Sequence, residues 1–348
     1  MVAAEASGDR LAAELVARLR ARGFTGGVRG LAGPRMREAG VTAVASSEAA
    51  TAIGLWEVMG ALPRIAGVWR RLETDLAAHP GSVVLTIDSP ELTTRLGRRA
   101  RRRGHRVVHW VAPQVWAWRP GRVRHLGRAF DTVLCLLPFE PPLLAEHVHA
   151  VFTGHPAAAV RPGATVRPGS PTFGLLPGSR PSEIRRHWPV LREVARRLRL
   201  RHPAAGFVVV RAPSVPRAAL SGLDAVTVDH VSDVAAVDAA VVASGTATVE
   251  LAALGVPMVV VYRVHPVTHA VVRRLVRVPH LALPNLLADV PCIPEHVQVL
   301  DPEEIAADVD RVRGRPQVSA SVLERFGGRG AVDRAADEVL TALQDPVR

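Results

Sequence analysis

Six strand-sized apolar runs punctuate the chain: VVLTID (83–88), RVVHWV (106–111), TVLCLLP (132–138), FVVVRAP (207–213), AAVVAS (239–244) and VPMVVVY (256–262). Longer stretches with helical spacing of apolar positions lie between them. That alternation predicts βαβ units and parallel sheets. Residues 160–174, VRPGATVRPGSPTFG, are dense in Pro and Gly without periodicity, which predicts a linker. The chain therefore divides into a Rossmann-like domain over 1–160, a linker over 161–173 and a second Rossmann-like domain over 174–325. A C-terminal helix over 326–348 follows, with the N-terminal domain as its candidate partner. Two such α/β halves would face a central cleft, and open parallel sheets bind ligands beyond the carboxyl ends of their strands.

One amphipathic stretch departs from this regularity. In AATAIGLWEVMGALPRIAGVWRRL (49–72), Ile53, Leu55, Trp56, Val58, Met59, Leu62, Ile65, Val68 and Trp69 leave little polar surface. Such a helix is either buried in a core or exposed in part and dipped into a membrane interface.

Composition narrows the classes. With 348 residues, 48% of them hydrophobic, the chain can bury a large core. It contains no lysine, so its formal charge of +12 rests on arginine. Eleven arginines and no Asp or Glu fall between Leu92 and Phe130, whereas 218–262 is depleted of arginine. A basic face of this kind attracts nucleic acid, anionic lipid or phosphorylated substrates. Cys135 and Cys292 form no CxxC pair, so neither a disulfide framework nor a zinc site is expected. His265 and His269 have helix-face spacing but no third ligand nearby. No apolar run is long enough to span a bilayer and no leader precedes the first motif, which points to a cytoplasmic protein.

Four strand-to-helix junctions carry candidate chemistry. In ASGTATVELAALGVPMVVVY (243–262) a Gly-Thr-Ala-Thr turn opens a helix after a strand. Backbone N–H groups at such a start suit a diphosphate, and Glu250 lies where it could meet a ribose; an ordinary helix cap reads the same way. GLLPGSRPSEI (174–184) repeats the arrangement with Arg180 on the loop, and arginine grips phosphate oxygens in a bidentate way. Asp88 ends the strand VVLTID before Pro90. It is placed either to act as a general base or to cap a turn. VAAEASGDRLAAELVARL, at the N-terminus, is a further strand, turn and helix.

Taken in order, ten segments resemble lipid-A-disaccharide synthase, a family 19 glycosyltransferase of the GT-B fold. They are AEASGD (4–9), GLAGPRMREAG (30–40), IGLWEVMGALPRI (53–65), IDSPEL (87–92), VAPQVWAWRPGRV (111–123), LPFEP (137–141), FTGHP (152–156), LLPGSRPSEI (175–184), SGTATVELAALGVPMVVVYRV (244–264) and LPNLLADVPCIPEHVQ (283–298). The resemblance implies inverting transfer of 2,3-diacylglucosamine from UDP-2,3-diacylglucosamine to the 6-hydroxyl of 2,3-diacylglucosamine 1-phosphate, releasing UDP, without cofactor or metal. It implies Asp88 as base and Arg180 as the cation at the leaving diphosphate. Ser179, Ser244, Gly245, Thr246, Thr248, Glu250, Asn285, Glu295 and Gln298 would bind the UDP-sugar, and Glu5, Ser7, Gly8, Asp9 and Gln114 the acceptor. Leu55, Trp56, Val58, Met59, Leu62 and Ile65 would contact the membrane. The enzyme would be peripheral, on the anionic cytoplasmic face of the inner membrane, with a homodimer left open and no nucleic acid as partner. Trp116 and Trp118 would anchor the loop that follows Gln114, with the nearby arginines turned outward.

The chain departs from the family pattern at Ala4, where the family has glycine. It departs again at Glu91, Leu92 and Thr93, where Pro-Asp-Phe-Asn is usual, and at Ala159, near which an Asp is expected. The first strand is reduced to Met1–Ala3, so either the true start lies upstream or that strand is short. Rival readings are another UDP-sugar enzyme of the same fold (a MurG-like transferase or a UDP-N-acetylglucosamine 2-epimerase) and a basic nucleic-acid-binding protein. None of them explains VAPQVWAW, IGLWEV, LPGSR and SGTATVE together.

Overall fold

The structure, a computed structural model, describes residues 1–47, 58–118, 120–265 and 278–344. It divides into two compact units, Met1–Pro156 with Gly330–Arg348, and Ala157–Arg329. All six apolar runs form strands, each trimmed at one or both ends.

The first unit contains seven strands: β1 (Val2–Ala3), β2 (Arg29–Ala32), β3 (Thr42–Ser46), β4 (Val83–Ile87), β5 (Arg106–Trp110), β6 (Thr132–Cys135) and β7 (His149–Phe152). They lie in the order β3-β2-β1-β4-β5-β6-β7, every pair parallel. Helices α1 (Ala6–Ala21), α2 (Pro34–Glu38), α3 (Val58–Ala78) and α4 (Pro90–Arg102) supply the crossovers. The short first strand is central: Val2 pairs with Leu31 on one side, and Val2 and Ala3 with Thr86 and Ile87 on the other. The Met1 amino group donates to the Arg29 carbonyl at 2.7 Å. Gly30 is required here, because a side chain at its φ of 147° would collide with the Met1 carbonyl.

The second unit repeats the plan with β8 (Thr172–Leu176), β9 (Gly206–Val210), β10 (Val226–Val228), β11 (Ala239–Ala243), β12 (Met258–Tyr262) and β13 (Glu295–Val297), all parallel in the order β10-β9-β8-β11-β12-β13. Its helices include α5 (Pro181–Arg201), α6 (Thr246–Ala253), α7 (Leu283–Leu287) and α8 (Pro302–Val312). Strands β8, β9 and β11 are buried at every position. That burial is why β9 and β11 read as continuous apolar runs rather than alternating ones. The Pro/Gly-rich stretch is not all linker: β8 takes in Thr172 and Phe173. The Thr172 N–H donates to the Asp238 carboxylate at 2.7 Å, and Gly163 N–H to the Ser232 carbonyl at 2.9 Å, tying this stretch to the second unit.

The chain then returns to the first unit through α9 (Ala331–Gln344). Its Ala335, Ala336, Val339 and Ala342 join Ala12, Leu15, Val16 and Leu19 of α1 in one buried cluster. The alanines allow close approach of the two helices, and Arg22 pairs with Asp333 and Asp337 at the edge of the seam.

Candidate active site

Both sheets have the strand order of a dinucleotide-binding fold, so each has a point where consecutive connections leave in opposite directions. Ligands of such sheets bind there, beyond the strand carboxyl ends. In the first unit that point lies between β1 and β4, whose next segments are Ala4-Glu5-Ala6-Ser7 and Asp88-Ser89. In the second it lies between β8 and β11, followed by Pro177-Gly178-Ser179-Arg180 and Ser244-Gly245-Thr246. Parallel pairing of Ala3 with Ile87 and of Leu176 with Val242 sets each pair of junctions side by side. The four junctions singled out from sequence are thus the four segments that flank the two switch points.

The chain is strained at the first of them. Among the described residues, non-glycine positions with positive φ are Asp88 (53°), Ser89 (49°), Val111 (76°) and Gln298 (66°). All four follow carboxyl ends of parallel strands. Each costs of order 1–3 kcal/mol and persists only where its surroundings hold it, a pattern typical of functional loops. Asp88 is held by its N–H to the Trp110 carbonyl (3.0 Å) and by its Oδ1, which accepts from Ser89 N–H at 2.7 Å. The hydroxyl of buried Thr93 donates to the Asp88 carbonyl at 3.0 Å, so the position that departs from the family pattern still braces the aspartate. Ser89 Oγ is buried and has no partner among the described residues, which is unusual for a hydroxyl outside a binding site.

Of the acceptor-side candidates, Glu5 precedes α1 as its N-cap residue, Ser7 and Gln114 are exposed, and Gly8 packs ordinarily against Ala3 and Ile87. Asp9 has a structural task. Its buried carboxylate accepts from Arg35 N–H (2.9 Å) and Met36 N–H (3.0 Å), capping α2. Gly33 is obligatory beside it, because a Cβ there would overlap the carboxylate.

In the second unit, Glu183 Oε2 accepts from the N–H groups of Ser179 (2.9 Å) and Arg180 (3.2 Å), the N3 half of a capping box at the start of α5. The Arg180 side chain is about two-thirds exposed, with Glu183 3.8 Å away. His187 was not marked from sequence. Its buried imidazole bridges Pro177 O at 2.9 Å through Nδ1 and accepts from Arg263 N–H at 3.0 Å through Nε2, joining the Arg180 loop to the end of β12. Those two contacts define the neutral tautomer, and burial lowers the pKa of the ring accordingly. A helical position carries no sequence signal for such a clasp.

At α6, Gly245 (φ 154°) and Thr246 are exposed at the helix start, where the first-turn amides lack intrahelical acceptors. Thr248 and Ser244 are occupied: their hydroxyls donate to Gly245 O and Leu281 O, both at 2.7 Å. Glu250 is buried in α6.

Asn285, Glu295 and Gln298 are hydrogen-bonded within the second unit. Asn285 donates to Ile293 O (2.8 Å) and Glu295 Oε1 (2.7 Å), and accepts from Cys292 and Ile293 N–H, so its hydrogen-bonding capacity is exhausted. Glu295 also accepts from Leu281 and Ala282 N–H. Gln298 exchanges hydrogen bonds with the Val264 backbone in both directions. These hydrogen bonds hold together the described parts of the segments that follow β12 and flank β13.

The tryptophan loop has an anchor. Trp116 donates through Nε1 to Glu140 Oε1 (3.0 Å) and meets Phe139 edge-on at 5.1 Å, while Glu140 Oε2 accepts from Leu136 and Leu137 N–H. Trp110 belongs to the core of β5. Arg124 and Arg128 are exposed, while Arg119 and the side chains of Trp118 and Arg122 lie outside the described residues. Burial pushes the Glu140 carboxyl up to about 7, against the pull of its three N–H donors. A carboxyl that binds its proton more tightly in the folded chain supports folding fully below its unfolded value. It loses that contribution as pH rises through 7. Urea midpoints are therefore expected to fall between pH 5 and 8, and Glu140→Gln to flatten that slope; an unchanged slope in the variant would remove Glu140 from the account.

Leu55, Trp56 and His269 fall outside the described residues, as do the side chains of Val58, Met59 and Leu62. Ile65 is half-buried, and farther along α3 Val68 and Leu72 are core residues, so this end of the apolar stretch is packed on the sheet. Among the described residues no cluster of three metal-ligating side chains occurs, and no helix is long and apolar enough to cross a membrane.

Known proteins share this chain's sequence and fold. The family model for lipid-A-disaccharide synthetase matches residues 1–309. Lipid-A-disaccharide synthases of Anaeromyxobacter dehalogenans and Geobacter sulfurreducens are 39% and 38% identical, over 99% of this chain and 97% and 96% of theirs. The calicheamicin glycosyltransferase CalG4 superposes with a TM-score of 0.60 at 17% identity, covering 99% of this chain and 96% of that one. The UDP-GlcNAc 2-epimerase of Neisseria meningitidis does so with 0.59 at 12%, covering 96% and 97%. The structural likenesses establish the GT-B fold, two parallel-sheet Rossmann-like units. Near-full-length identity approaching two residues in five separates this chain from the epimerases that share the fold, and it belongs to the lipid-A-disaccharide synthase family of hexosyltransferases.

Proposed function

We propose that the protein transfers 2,3-diacylglucosamine from UDP-2,3-diacylglucosamine to the 6-hydroxyl of 2,3-diacylglucosamine 1-phosphate, using Asp88 as base and Arg180 at the departing diphosphate. The observation that carries the assignment of roles is that the motif-bearing junctions flank the switch points of both sheets. Asp88 takes the proton of the acceptor hydroxyl as its oxygen attacks the anomeric carbon. The bond from that carbon to the β-phosphate oxygen breaks, inverting the centre, and its electron pair leaves with UDP. Negative charge grows on the diphosphate as this happens. The Arg180 guanidinium and the first-turn amides of α6 are the groups of this chain suited to meet it. Ser179, Gly245 and Thr246 line the same strand ends, and Glu250 is our candidate for the ribose.

Acylated, phosphorylated substrates place the reaction at a lipid surface. The basic run from Leu92 to Phe130 and the apolar stretch 53–65 support peripheral association with an anionic membrane face. The test of the reaction is UDP release by the purified protein in detergent, with donor alone and with both substrates. Acceptor-dependent UDP together with a disaccharide 1-phosphate is expected. UDP binding without acceptor-dependent release would move the assignment to another acceptor.

A further inference from the structure

Helix α4 divides its arginines between two faces. Arg99 and Arg103 face α3, where Glu73 pairs with both (3.0 and 3.8 Å) and the Trp69 ring lies 4.8 Å from the Arg99 guanidinium carbon. That face is accounted for by packing between neighbouring helices. Arg98, Arg101 and Arg102 occupy the other face. With His125, Gly127 and Arg128 from the segment before β6 they line a hollow of about 510 Å³, and no carboxylate is among its lining residues.

Among the described residues, one of the four arginines is paired. Arg101 donates to the Gly127 carbonyl and pairs with Asp131 at 2.9 Å, which fixes one wall against the other. Arg98, Arg102, His125 and Arg128 have no hydrogen-bond or ion-pair partner among the described residues. Arg98 Nε is buried away from solvent with nothing to donate to, an arrangement that costs free energy unless an acceptor arrives. A folded chain that neutralises one face of a helix and gathers unneutralised guanidinium groups on the other is arranged for an anion outside itself. The planar fork of arginine fits phosphate oxygens in particular.

We propose that this hollow seats the phosphate of an anionic phospholipid headgroup and so holds the N-terminal unit at a lipid surface. The inference rests on the membrane-associated reading above and adds to it a defined headgroup site, separate from the strand ends assigned to the reaction.

The experiment is co-sedimentation of the full chain with phosphatidylcholine vesicles, with and without one-fifth phosphatidylglycerol. It compares the wild type, Arg98→Gln/Arg128→Gln, and an equal-charge control, Arg217→Gln/Arg315→Gln, made at exposed positions of the other unit. Far-UV circular dichroism and UDP release in detergent show that each variant is folded. The hollow variant is expected to lose about thirty-fold in affinity for the anionic vesicles, from the usual contribution of an arginine at a lipid surface. The control should lose less than three-fold, and the wild-type affinity should fall with salt. Equal losses in the two variants would overturn the site and leave general charge attraction. A wild type that ignores anionic vesicles while still releasing UDP would overturn both the site and the membrane reading, without touching the reaction.

Discussion

Asp88→Asn is expected to lower the transfer rate about a thousandfold, within the range for loss of a positioned general base, while the protein stays folded. The fold should survive for a local reason. Asparagine tolerates left-handed backbone better than most residues, so φ of 53° can be kept, and its Oδ1 can still accept from Ser89 N–H. What it cannot do is take a proton. A thousandfold corresponds to about 4 kcal/mol of barrier, far more than the change of one hydrogen bond would bring. Single-turnover rates with saturating substrates, read beside a urea titration, separate the two. A variant within tenfold of wild type would remove Asp88 from the chemistry and leave the strained turn unexplained.

Arg180→Ala should cost about a hundredfold to a thousandfold in kcat, with almost no loss of stability. The helix start it occupies is closed by Glu183 through the backbone N–H groups of Ser179 and Arg180, which the substitution leaves in place. The ion pair to Glu183 is long and its guanidinium is about two-thirds exposed, so it contributes little. Arg180→Lys is expected to recover only part of the rate, because an ammonium restores the charge without the bidentate fork. Full activity in the alanine variant, measured as UDP release, would sink the role. A loss confined to KM would instead make Arg180 a ground-state contact.

Much of this was legible along the chain. The apolar runs gave β4, β5, β6, β9, β11 and β12, because strands covered on both faces must be apolar throughout; β3, with two exposed positions, and β8, which begins inside the Pro/Gly-rich stretch, were not among them. The motif order marked the four junctions on which the proposed chemistry rests, since a turn between strand and helix is a local feature. Asp9, Asn285, Glu295 and Gln298 show the limit of that reading. Motif membership marks them as ligand contacts, and in the structure they also hydrogen-bond backbone groups of α2, of the segment before β13 and of the loop after β12. A side chain that shapes a binding loop and one that touches a ligand leave the same trace in a sequence.

The sequence alone determined the fold class, the family and the placement of Asp88 and Arg180 at strand ends, because each depends on local pattern and on neighbours within a few residues. The tertiary structure decided what depends on distant partners: the central place of a two-residue first strand, the return of α9 to α1, and the His187 clasp between Pro177 and Arg263. It also decided which arginines of α4 are neutralised. Charge can be counted along a chain, but whether a guanidinium meets a carboxylate is settled only when helices pack side by side.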